Sequence, residues 1–230
     1  MVKQAFLLVL LGGIFAVFYL VTEDLSELYN NFGKTYFQLN GLLETGSRNL
    51  VTAIYLDYRL FDSFFEAGIL LVAVAGIIWI SKHDLNEKNA QFMLDRYKTP
   101  DLFITFSRIV YPMMLVFGFY VIINGHLSPG GGFQGGAIVA TAILILYYID
   151  HDRETNIKQI VTIEKLVFFL IVLVASLSLL TRGEFFTNFM PLDSSVASKA
   201  IYLVILNILI GFKVALGLWT IFTAFLREGR

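Results

Sequence analysis

The stretch Asn124-Gly125-His126-Leu127-Ser128-Pro129-Gly130-Gly131-Gly132-Phe133-Gln134-Gly135-Gly136 separates an apolar run over residues 102–123 from a second over 133–149. Pro129 lacks an amide donor, and Gly130, Gly131 and Gly132 lose the most backbone entropy on ordering, so no helix continues through them. The chain must turn here. The flanking runs are too long and uniform for ordinary core helices, which puts the turn at or inside a membrane. Gly135 and Gly136 then let the next helix begin tight against a neighbour. Gln134, at the head of that helix, offers amide donors and acceptors to the cap region.

Composition agrees. Hydrophobic residues make up 57% of the chain and charged residues 15%, against about 25% charged in soluble domains. The fold class is an all-α polytopic membrane protein with about six transmembrane helices. A net charge of -1, with basic residues spread singly, gives no reason to expect nucleic acid. The absence of cysteine removes disulfides, thiolate metal sites and iron–sulfur ligation from this chain. Any redox chemistry sits elsewhere, and no cofactor is implied. No second histidine lies at metal-ligand spacing from His126, so no metal site is expected.

Six spans are expected. The first, over residues 5–21, reads as a retained helix, because Val21-Thr22-Glu23-Asp24 offers no small-x-small cleavage site. A polar segment over 23–48 follows, whose aromatics Tyr29, Phe32, Tyr36 and Phe37 suit the headgroup level. The run over 50–80 carries Asp57, Arg59, Asp62 and Glu66 in its first half. In a helix Arg59, Asp62 and Glu66 share one face, where the arginine neutralises carboxylates; alternatively the span starts near Ser63 and the charges stay solvated. Only 14 residues, 67–80, follow Glu66 before Ser81, fewer than the roughly 17–25 that cross a bilayer, so Glu66 is drawn into the membrane.

Ser81 to Asp101 is the most polar linker and divides the chain into parts 1–82, 83–101 and 102–230. The third span, over 102–123, contains Arg108 within snorkelling reach of its end and Pro112, which kinks the helix or marks its true start. The fourth covers 133–149, the fifth 163–180 and the last 200–226. Glu164, followed by Lys165, reads as an ordinary interfacial pair at the head of the fifth helix.

Lys213 stands about thirteen residues from either end of the last span, roughly 20 Å and beyond the reach of a snorkelling stem. A charge there costs at least ~2.5–3.5 kcal/mol, so it must be paired, hydrated or deprotonated. It either serves a proton or ion path or donates to a neighbour to hold it. Asn207 is placed to share its network, and Gly211, Ala215 and Gly217 make a close-packing surface. His126 is a proton-transfer candidate, or a donor that ties the loop. The glycine loop is no nucleotide site: it has no Gly-x-x-x-x-Gly-Lys-Ser/Thr and no preceding strand. No nucleophile, base and oxyanion set exists, so the chain does not catalyse covalent chemistry alone.

Residues 124–136, followed by an apolar helix and then Asn207, Gly211, Lys213 and Gly217, resemble the MnhB/MrpB-type component of the multisubunit Mrp-type sodium/proton antiporter. Upstream, residues 51–66 resemble the C-terminal tail of that family's large MrpA component, or the small MbhE component of membrane-bound hydrogenases. Ser63, Phe64 and Phe65 depart from that pattern, in which threonine and then leucine-glycine follow the aspartate; Asp62 and Glu66 keep their places. The resemblance implies two small subunits joined at the linker. It implies a part of an ion-translocating membrane arm moving Na+ and H+, partnered by other antiporter subunits and membrane lipid. The ion-path candidates are then Glu66, Lys213, Asp62, Arg59, His126 and Asn207. The same module occurs in redox-driven complexes with hydrogenase or iron–sulfur subunits, and a non-conducting scaffold is the remaining alternative.

Six spans put both termini on one side of the cell membrane. Nine basic residues fall on that side and five on the other, which makes it the cytoplasmic side. A cysteine introduced at Ser128 should therefore react with an impermeant thiol reagent in intact cells. Labelling only after permeabilisation would reverse the topology.

Overall fold

The computed structural model of the chain describes residues 2–25, 32–81, 100–149, 156–191 and 193–228. The linker over 83–99, the charged loop over 150–154 and Tyr29 lie outside these residues. The described residues are helical with no strand: α1 (Val2–Leu25), α2 (Phe32–Thr45), α3 (Leu50–Ala53), a π-helical turn (Ile54–Tyr58), α4 (Leu60–Ser81), α5 (Asp101–Ile123), α6 (Gly132–Ile149), α7 (Ile157–Ser176), α8 (Ser178–Thr181) and α9 (Val196–Glu228). Five stretches are long and apolar enough to cross a membrane: Leu60–Ser81, Asp101–Ile123, Gly132–Ile149, Ile157–Thr181 and Val196–Phe225. α1 carries a shorter apolar helical stretch, Leu8–Leu20. The chain is thus the expected all-α polytopic membrane protein.

Two compact units divide it, residues 1–39 and 40–230. In the first, α1 exposes its apolar side chains over residues 8–20, and Phe32, Tyr36 and Phe37 form a short aromatic row at the start of α2. The second unit is built around α9, which packs against α4, α5, α6 and α7. That position explains its inventory. α9 alone supplies the buried Tyr202, Leu203, Leu206, Ile210 and Val214 to the main core, together with the buried polar residues Lys199, Asn207, Lys213, Thr220 and Thr223.

Helix starts differ from the sequence expectation where a cap moves them. Asn156 accepts from the amide of Gln159 and starts α7 at Ile157, six residues ahead of the expected 163. Ser195 accepts from the amide of Ser198, so α9 begins at Val196 instead of 200. Pro112 neither ends nor starts α5, which is helical from Asp101 to Ile123. The polar segment before residue 48 holds a helix, α2, which was not anticipated. The run over 50–80 is interrupted: the Arg59 amide bonds Ile54 O, five residues back, and Arg59 itself leaves helical geometry at φ -133. Ser63 Oγ donates to the Tyr55 carbonyl at 2.6 Å and satisfies a group that the interruption frees.

The glycine loop does what its residues require. Gly130 and Gly131 have φ of 141 and 151, where a side chain would be strained, and Gly132 is already the first residue of α6. α6 then runs alongside α9 in the same direction, since Gly132 faces Asn207 and Ile210, Gly136 faces Gly211 and Val214, and Tyr147 meets Trp219 edge-on at 5.7 Å. A Cβ on Gly136 would stand 2.6 Å from the Gly211 carbonyl oxygen. Backbone meets backbone there, as in close membrane helix pairs.

Gly136→Val should therefore destabilise the protein by on the order of 3 kcal/mol, seen as a lower melting midpoint and less monodisperse protein in detergent. Gly76→Val is the control, because nothing lies within 4 Å of a Cβ at that position. Equal melting of the two variants would mean that the α6–α9 contact is not close-packed.

Candidate functional site: a buried ion pair and the loop above it

Lys213 lies about 26 Å along α9 from Val196 and about 22 Å from Glu228. Its Nζ stands 3.2 Å from Glu164 Oε1 of α7, and neither side chain has any exposed surface. The early start of α7 decides this. With two helical turns ahead of it, Glu164 faces the bundle interior and not the interface, which corrects the interfacial pairing expected with Lys165; Lys165 itself is exposed. Gly217 makes the approach possible: a Cβ there would be 2.9 Å from Glu164 Oε1. The contact is an ion pair without hydrogen-bond alignment. Both carboxylate oxygens and Nζ keep donor and acceptor capacity that no protein group fills. A pair so placed can exchange a proton internally or be neutralised from outside, which a fully hydrogen-bonded pair resists.

Asn207 does not join this pair. Six residues earlier on α9, its Oδ1 accepts from the Gly132 amide at 2.8 Å and from Tyr55 Oη at 3.1 Å. It is the hub that holds the glycine loop to α9 and to the π-helical turn. The segment ahead of that turn closes the loop. Asn49 Nδ2 donates to Gly125 O and Ser128 O, each at 2.9 Å, Thr52 Oγ1 to Gly125 O at 2.6 Å, and Ser47 Oγ to His126 O at 2.9 Å. The amides of Arg48 and Asn49 also bond His126 O. His126 therefore ties the loop chiefly through its carbonyl, while its Nδ1 stays within 3.2 Å of Ile123 O. Pro129 is exposed at the turn, and Gly135 packs against Gly118 and Ile122 of α5. Gln134 is exposed and bonds no described residue, so it is not a cap partner.

Arg59 and Asp62 bond each other at 2.7 Å and are more than half exposed, an arrangement worth at most about 1 kcal/mol. Glu66 is separate from both. It lies on the outer face of α4 among exposed Phe65 and Ile69, inside the span and without a partner among the described residues. The break at Arg59 is what parts it from the arginine.

One buried carboxylate was missed as a site. Asp57, 6% exposed, sits on the π-helical turn just ahead of the α4 span and accepts from the Asn188 amide at 3.0 Å. Asn188 Nδ2 donates to the Lys199 carbonyl, and Lys199 Nζ donates to Leu43 O at 3.0 Å. Burial pushes the Asp57 carboxyl up to about 6, against the opposing pull of the Asn188 amide and the Arg182 guanidinium. Burial likewise raises the Tyr55 phenol.

Comparison with known proteins follows this geometry. Residues 102–220, just over half of the chain, match the family described as a domain related to the MnhB subunit of the Na+/H+ antiporter. The MnhB-type Na(+)/H(+) antiporter protein of Bacillus subtilis is 41% identical over 63 residues, 27% of this chain and 43% of its own. Aligned stretches span less than half the length of the curated relatives. Among solved structures, the membrane-bound sulfane sulfur reductase, an archaeal respiratory membrane complex, has a chain that aligns over 99% of both chains at 27% identity with a TM-score of 0.69. The Mrp complex from Dietzia sp. DQ12-45-1b aligns over 90% of this chain and 26% of that one, at 21% identity and a TM-score of 0.55, a likeness of fold.

Because Asp57 binds a proton more readily folded than unfolded, its protonation stabilises the fold fully below about pH 4 and no longer does so once pH has risen through about 6. At pH 7 the Asp57→Asn variant should be more stable than the wild type by up to about 3 kcal/mol, and the difference should vanish near pH 4. Melting curves of both proteins between pH 4 and 8 measure it. Parallel profiles would show that Asp57 does not carry a desolvated charge.

Proposed function

Because the chain belongs to the family of domains related to the MnhB subunit of the Na+/H+ antiporter, we propose that it is a membrane subunit of an Mrp-type monovalent cation/proton antiporter. It contributes packing and a charged relay to the translocation path. The observation that carries this reading is the Glu164–Lys213 pair, wholly buried at mid-helix and incompletely hydrogen-bonded. A purely structural contact at that depth is better served by apolar packing, since desolvating two charges can exceed their attraction. In this reading the chain is not catalytic alone. It lies in the cytoplasmic membrane with both termini cytoplasmic and the glycine loop outside. Glu66, turned outward within its span, meets a neighbouring subunit, and Asp62 and Arg59 flank it at the interface.

A second reading sets the same module inside a redox-driven respiratory complex. It is favoured by the near full-length alignment with a chain of the sulfane sulfur reductase complex. The redox groups then belong to hydrogenase-like or iron–sulfur partners, as this chain has no cysteine.

Cation-dependent proton transport in membrane vesicles carrying the intact complex tests the relay. Lys213→Met and Glu164→Gln should each lower transport at least about tenfold at matched assembly. Gly217→Ala, whose new Cβ displaces only the flexible end of Glu164, should lower it less and leave every partner bound. Full transport in Gly217→Ala and in the Glu164→Gln/Lys213→Met double variant would remove the pair from the path and leave the chain a scaffold.

A further inference from the structure

A groove of about 740 Å³ opens beside the first three turns of α9. One wall is an apolar face of α9 that includes Ala197, Ala200 and Ile201; the other is formed by Leu42 at the end of α2 and by the glycine loop. Arg48 and His126 are its basic lining residues, and no acidic side chain lines it. The Arg48 side chain is exposed and makes no ion pair among the described residues. Its backbone amide, bonded to His126 O, fixes where the guanidinium starts.

The groove's size and charge select its occupant. A second helix of about 10 Å diameter laid along three turns displaces on the order of 1,200 Å³, more than the groove holds. A pair of acyl chains is thinner and conforms to small residues such as Ala197 and Ala200. A cation exposed beside an apolar surface in a membrane protein attracts an anionic headgroup, at about 1 kcal/mol per basic residue. We propose that this groove is a binding site for one anionic phospholipid, its acyl chains along α9 and its phosphate at Arg48 and His126. Such a lipid fastens the end of α2, the glycine loop and α9 together from outside. The inference does not depend on what the complex transports.

The test uses the full chain, purified and examined by native mass spectrometry with phosphatidylglycerol or phosphatidylcholine of identical acyl chains. The wild type should retain phosphatidylglycerol about fivefold better. Arg48→Gln, which keeps the backbone tether, should retain both lipids equally, and Ala200→Phe, which fills the groove, should lose both. Equal retention of the two lipids by the wild type overturns the proposal, as does a preference that survives Arg48→Gln. In the assembled complex, a photoreactive group at Ile201 should cross-link to lipid; cross-linking to another subunit instead assigns the groove to a protein partner and also overturns it.

Discussion

A lysine at the middle of the central helix is the constraint to which much of the second unit answers. Lys213 cannot reach water along its own helix, so a counter-charge must come from a neighbour at the same depth. Only α7 supplies one. For Glu164 to arrive there, α7 must begin far enough ahead to bring it two turns inward, which the Asn156 cap provides. α9 must also offer no side chain where the carboxylate lies, which Gly217 provides. Cap, glycine and carboxylate are separate in sequence and act as one device.

The glycine loop meets a second constraint of the same kind. Non-helical backbone near the membrane must have its polar groups satisfied by protein. Here the carbonyls of Gly125, His126 and Ser128 are bonded by Ser47, Arg48, Asn49 and Thr52, and the Gly132 amide by Asn207. The donors over 47–52 lie ahead of the linker and the acceptors behind it. Part of what resembles a separate neighbouring subunit thus completes the loop of the other, which gives a physical reason for the two to be covalently joined.

The fold was legible where it rests on composition and on residues with one meaning. The apolar runs gave the spans, and Pro129 with Gly130 and Gly131 gave the turn. The close approach at Gly135 and Gly136 followed from their lacking side chains. The depth of Lys213 was legible because it depends on its own helix alone. Its partner was not, because Glu164 pairs across 49 positions of sequence and its depth hangs on a cap eight residues ahead. Reading Asn156 as a helix start would have exposed it. Asp57 was hidden by the π-helical turn: without the extra residue, it would be read on the wrong face of a continuous helix. Asn207 was recognised as buried and polar but assigned to Lys213; its orientation toward the loop, set by the parallel run of α6 and α9, has no signal in α9 itself.

Glu66 and Lys213 show how the molecule ends on one side and closes on another. Both are charged residues inside spans, and both face the same desolvation cost. Lys213 is answered within the chain, with no surface exposed. Glu66 is not answered: the α4 surface around it is apolar and exposed, and the nearby arginine is taken by Asp62 across the helix break. Lipid cannot solvate a carboxylate there, and a carboxyl held neutral against lipid still lacks a hydrogen-bond partner. The bundle is therefore self-sufficient around α9 and incomplete along α4. That asymmetry belongs to one part of a larger assembly, and it follows from two side chains without reference to any relative.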